Sequence, residues 1–272
     1  MREGDFLTRN IAGFTLALEH IVLTEDLSHA AGLLQGLDAR VKVLTLPLFI
    51  VIVGLARDFP VLIAVFIMAL ALALLSKVPA AVFLKRLLIF IPIFTAVIAI
   101  PALFITPGDP LVTASGRTVI TVQGARSAGL LVMRVVDSLS LGLLLIFTTP
   151  WNKLLAALRW FHLPSIVIDI LGMTYRYIFL LLHTANSMFL SRQSRTVGRF
   201  TGAENRRWLG RAVATVMVKS QYLSEEVYLA MLSRGYQGEI YTLSSLALRR
   251  RDFIWIAFAL AAAAFMIWSI YQ

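Results

Sequence analysis

Charge-free apolar runs recur along this chain, and they restrict its fold more than any other feature. A membrane helix needs about 20 mostly apolar residues to cross about 30 Å of hydrocarbon. Phe253–Tyr271 (FIWIAFALAAAAFMIWSIY) and Phe59–Ser76 (FPVLIAVFIMALALALLS) are the clearest candidates. Leu87–Thr106 is another, and Ser127–Thr149 a further one interrupted by Arg134 and Asp137. Val43–Ala56 is short, but Lys42 and Arg57 flank it and can snorkel to lengthen it. Hydrophobic residues make up 59% of the 272 and charged residues 15%. Mean hydropathy is +0.82. A soluble domain carries about 25% charge, and its surface could not cover this much apolar matter. The expected fold is therefore an all-α integral membrane protein with about five transmembrane helices plus cytoplasmic helices.

Charge placement gives the orientation. Of 25 Lys and Arg, 21 fall before Val43, in 77–86 or in 150–252. Five spans put those three segments on one side, and the positive-inside rule makes that side cytoplasmic. The net charge of +10 thus needs no nucleic acid to explain it. The start, MREGDFLTRN, is charged and lacks an apolar core. It predicts a cytoplasmic N-terminus without a cleavable signal. Four segments follow: a cytoplasmic stretch 1–42, a four-span region 43–149 with an external loop at 107–126, an inner segment 150–252, and a final span 253–272. In the loop, Thr118–Val122 is a β-branched run between turn residues, the sign of a short hairpin.

The inner segment is the unusual part. Leu154, Leu155, Leu158 and Phe161 recur at helical spacing after Pro150 and before Pro164, which predicts a short amphipathic helix. A second helix is expected over about 165–197, with Asp169, Arg176 and His183 at sevenfold spacing. Its first half is apolar enough to imitate a sixth span. Crossing would move the following basic run outside, so the helix is placed under the membrane. A third is expected over about 206–233, with Val216, Ser220, Leu223, Val227 and Met231 along one face. The last two helices end in alike triplets, Ser194-Arg195-Thr196 and Ser233-Arg234-Gly235, whose arginines stand 39 positions apart. Gly198 and Gly235 are the expected stops. One such arginine is explained by the helix dipole. Two with small neighbours, through which a partner approaches closely, point to docking.

Other chemistry is thin. No phosphate-binding Gly-x-x-x-x-Gly-Lys-Ser/Thr occurs, so no ATP site of that kind is expected here. The four histidines are scattered and cysteine is absent, so neither a metal site nor a cofactor is expected. Arg134 and Asp137 lie three apart within a span and read as a self-compensating ion pair.

These features together resemble the transmembrane coupling subunit, or T component, of energy-coupling factor transporters, the cobalt-type CbiQ group in particular. The likeness runs over roughly 20–270. It rests on Asp38-Ala39-Arg40-Val41-Lys42, on Thr149-Pro150 through Leu163-Pro164, on 191–198 (SRQSRTVG), and most on 226–236 (EVYLAMLSRGY). The resemblance implies a subunit that is not itself an enzyme. It would pass the ATP-driven motion of two cytoplasmic ABC-type ATPases to a separate membrane subunit (the S component). That subunit would capture the cargo, cobalt, nickel or a vitamin, and ATP would be bound by the partners. It implies a bacterial or archaeal plasma membrane location. Arg195 and Arg234 would each serve one ATPase, with Ser194, Thr196, Ser233 and Gly235 as packing neighbours. Ser-Arg-Thr departs from the Ala-Arg-Gly common at the first triplet, which touches the packing and not the arginine. The competing readings are a self-contained secondary transporter relaying through Arg134 and Asp137, and an intramembrane enzyme. The first lacks internal repeats, and the second lacks a nucleophile–base set.

Overall fold

A computed structural model describes residues 28, 32–105, 109–114, 117–196, 201–238, 240 and 248–271. The expectations for most of the N-terminal stretch, for the tip of the external loop and for Gly198 lie outside those residues. The chain divides into two compact units, 25–157 with 245–272, and 158–244.

The first unit holds the expected spans. They are α1 (Ala39–Leu55), α2 (Phe59–Leu75), α3 (Ala80–Ile105), α4 (Val122–Thr148) and α8 (Arg250–Tyr271). A two-stranded antiparallel hairpin, β1 (Pro110–Ala114) and β2 (Arg117–Thr121), sits between α3 and α4, and it pairs Pro110 with Thr121 and Ala114 with Arg117. Four of the five helices begin before the expected runs, α3 by seven residues and α8 by three, and two of the starts show their cause. Helix α4 begins at Val122 because the Thr121 hydroxyl accepts the Gly124 N–H and caps it. Helix α1 begins at Ala39, where the Asp38 carboxylate accepts the Arg40 N–H in the same way.

Lys42 is accordingly inside α1 and does not snorkel. It is 1% exposed, and its Nζ donates to the Thr148 carbonyl at 2.7 Å. That carbonyl belongs to the last turn of α4, where no intrahelical donor remains.

Leu46, Phe49, Leu62, Phe83, Leu144 and Phe147 form the centre of the unit. The outward faces are as apolar as the inward ones, with Leu44, Val51, Ile63, Ile67, Phe253 and Phe265 all exposed. Helices apolar all round belong in lipid. Lipid tails are as apolar as leucine, so polar links and close packing hold such helices together. Helix α8 is tied to α1 by two of these links. Asp252 accepts the Asp38 N–H at 2.8 Å, and the Trp255 indole donates to the Thr45 hydroxyl at 3.1 Å.

The second unit contains α6 (Ser165–Arg195) and α7 (Gly202–Ser233), preceded by α5 (Trp151–Trp160), within which the division between units falls. Pro150 accepts the N–H of Lys153 and Leu154 to open α5. Among the described residues, three helices are long and apolar enough to cross a bilayer, α4, α6 and α8. By length and composition α6 therefore stands with the spans, and the charge distribution alone sets it apart.

The pair expected between Arg134 and Asp137 is not made. Arg134 donates Nε and Nη2 to the Ala56 carbonyl, at 3.0 and 2.7 Å. A cation is favoured there because Ala56 is the C-cap of α1, where free carbonyls and the negative dipole end coincide. Asp137 is 0% exposed, and both carboxylate oxygens lack a hydrogen-bond partner among the described residues. Replacing Arg134 by Met is expected to cost about 2–3 kcal/mol, since hydrogen bonds from charged donors are lost. Asp137→Asn removes no such bond and should cost less. Thermal unfolding in detergent measures both, and equal losses would restore the ion pair.

Candidate functional site

Helices α6 and α7 run antiparallel. Phe189 packs edge-on to Trp208 with centroids 4.8 Å apart, and Arg192 donates to Asn205 at 2.8 Å. Farther along, Lys219 donates to Thr184 at 3.2 Å. At the far end a partly buried link closes the unit. Arg159 bridges to Asp169 at 2.8 Å and donates to the Ile240 carbonyl at 2.7 Å. Asp169 in turn accepts the Ile240 N–H at 3.3 Å. This link ties the start of α6 to the chain leaving α7. Sequence reading placed Asp169 on a polar stripe with Arg176 and His183 and did not see its partner.

The face of α7 expected to be apolar meets α6 around a cavity of about 610 Å³. Ser220, Leu223, Val227 and Met231 line it from one side, Ile170 and Leu181 from the other. Helix α7 starts at Gly202, four residues earlier than expected. The missed signal is a capping box: Thr201 caps the Glu204 N–H, and the Glu204 carboxylate accepts the Thr201 N–H at 2.9 Å. Those hydrogen bonds hold the Glu204 carboxyl below its ordinary pKa.

Each triplet ends its helix. Helix α6 stops at Arg195, with extended Thr196 as C-cap. At α7, Gly235 takes φ +81°, its N–H donating to the Leu232 carbonyl and that of Tyr236 to Met231. That is a Schellman stop, and glycine adopts its left-handed residue without strain. The serines before the arginines are used alike. Ser194 donates to the Ser191 carbonyl at 3.0 Å and Ser233 to Ala230 at 2.9 Å. Thr196 likewise donates to the Arg192 carbonyl. With the hydroxyls turned back onto their own helices, the guanidinium is the outward donor of each triplet. Arg195 and Arg234 are both exposed.

Because the helices are antiparallel, the two arginines lie at opposite ends of the pair. Arg195 lines a cleft with Glu204 and Trp208, and Arg234 lines another with Ser165 and Tyr177. Thirty residues of α7 separate the level of Glu204 from Arg234, about 45 Å at 1.5 Å per residue. One small groove cannot hold both.

The profile of the CbiQ family, described as cobalt transport protein, matches residues 31–243. An uncharacterized protein of Methanocaldococcus jannaschii is 35% identical over 265 residues, 93% of this chain and 91% of the relative. The energy-coupling factor transporter transmembrane protein EcfT of Listeria innocua is 28% identical over 221 residues, 75% of this chain and 81% of its own. The cobalt transport protein CbiQ of Rhodobacter capsulatus is 30% identical over 126 residues, 45% and 50% of the two chains.

Proposed function

The chain belongs to the CbiQ family of cobalt transport proteins, and from that premise we propose that it is the coupling subunit of an energy-coupling factor importer. In this reading α5, α6 and α7 face the cytoplasm with the N-terminus. Two ABC-type ATPases grip Arg195 and Arg234, and their ATP-driven motion passes through the α6–α7 pair to a separate substrate-binding membrane subunit. The chain itself carries no catalytic step and no cofactor, and its cargo, cobalt or another small nutrient, is held by that separate subunit. One observation carries the reading: an exposed arginine stands at the C-terminal end of each helix, and the two ends are separated by about 45 Å along α7. An arginine fork reads carboxylates and open carbonyls, and that spacing suits two motor subunits rather than one. A self-contained transporter has less support, because the relay it needs between Arg134 and Asp137 is not assembled.

The chain has no cysteine, so Ser194→Cys and Ser233→Cys each give a single-thiol protein. Both are expected to react with a membrane-impermeant maleimide in inverted vesicles and not in intact cells. ATP-hydrolysing proteins should also copurify with the native chain. Labelling from outside, or uptake by the reconstituted chain alone, would sink the proposal.

A further inference from the structure

A cleft of about 970 Å³ opens between the C-terminal half of α6 and the N-terminal half of α7. Arg192, Arg195, Arg207, Arg211 and Lys219 line it, with Glu204 as its one carboxylate, a surplus of four positive charges. Arg192 is occupied, its guanidinium 4.5 Å from the centre of the Trp208 ring and hydrogen-bonded to Asn205. The Glu204 carboxylate is engaged in the capping box at the start of α7. Arg207 and Arg211, one turn apart on α7, are exposed cations, and Arg207 adds to the field that lowers the Glu204 pKa.

The surroundings are apolar. Leu180 and Met188 share the cleft wall, and the residues next in sequence to Leu180 and Lys219, namely Leu181 and Ser220, line the apolar cavity of about 610 Å³. Helix α6 itself is apolar enough for a bilayer. A basic pocket continuous with an oily groove matches an amphiphile. Pockets of this kind between helices on the cytoplasmic side hold anionic headgroups.

We infer that this cleft binds the phosphate of an anionic phospholipid, with Arg207 and Arg211 as its ligands and the acyl chains along α6 and α7. Arg195 is left outside the set, so the site does not depend on the coupling role proposed for that residue.

The full chain in detergent, given phosphatidylglycerol or phosphatidylcholine, is read by native mass spectrometry for retained lipid. Phosphatidylglycerol should be retained in preference. Arg207→Gln with Arg211→Gln should weaken retention about 30-fold, from about fivefold per surface cation. Arg57→Gln with Arg126→Gln, which removes two cations far along the chain, should leave it unchanged. Circular dichroism checks that the double variant is folded, and Arg211→Gln alone provides a milder change for the same readout. Equal retention of both lipids, or undiminished retention by the Arg207/Arg211 variant, overturns the inference. So does displacement by millimolar inorganic phosphate, which assigns the cleft to a soluble anion. Occupancy by an acidic ATPase surface with no lipid retained overturns it as well.

Discussion

Arg195→Glu combined with Arg234→Glu is expected to abolish ATP-driven uptake while leaving the chain folded and in the membrane. Each arginine is exposed at a helix end, with its triplet serine bonded back to its own helix. Neither exchange therefore removes a buried contact. In a complex these guanidinium groups become desolvated anchors, and truncating such an anchor costs about 2 kcal/mol or more, roughly 30-fold in affinity. Reversal costs more, since like charges then face one another. Single reversals should weaken ATPase binding at one end each, because the ends lie about 45 Å apart and act independently. Binding of purified ATPases to the reconstituted chain and ATP-dependent uptake are the two measurements. Normal uptake by the double reversal removes the coupling proposal, and a fall in the melting temperature would recast both residues as structural.

Asp252→Ala should be the most destabilising single change in the membrane unit. Asp252 is 1% exposed and accepts the N–H of Asp38 at 2.8 Å and of Arg249 at 2.6 Å. Alanine leaves the buried Asp38 N–H without an acceptor, at about 1–3 kcal/mol, removes the part-buried bond from Arg249, and loosens α8 from α1. The expected loss is about 2–5 kcal/mol, read as a fall of roughly 10 °C in a detergent melt. Asp252→Asn retains one carbonyl acceptor and should recover part of the loss. Trp255→Phe, which deletes the hydrogen bond to Thr45 and part of a buried ring, should cost about 2 kcal/mol. If alanine and asparagine melt alike, the carboxylate is not the joint between α1 and α8.

How far the sequence alone reached depends on what each feature needed. The spans were visible because bilayer thickness demands long charge-free runs, and the five expected runs each lie within or largely along a helix. The paired triplets were visible because helix ends leave a local signature, here Gly235 after Ser233-Arg234. What escaped was non-local. Lys42 looked like a residue reaching for water until packing brought the end of α4 to it. Arg134 and Asp137, one turn apart, suggested a pair, but a carbonyl 78 positions away took the arginine. Asp252 appeared only as the last residue before a span, and its partner lies 214 positions earlier. Spacing along one helix reports which residues share a face and is silent about what the neighbouring helix offers. The capping box at Thr201 and Glu204 is a local pattern legible in the sequence, and the expected start at about 206 passed it over.

The rod between the two triplets is fixed at both ends, by the Thr201–Glu204 cap and by the left-handed turn at Gly235. Adding or deleting one residue between them would shift the second arginine by 1.5 Å and swing it about 100° around the axis. Side chains along α7 are thus freer to vary than its residue count. The segment works as a ruler, and related chains that keep both tips should place their insertions and deletions elsewhere.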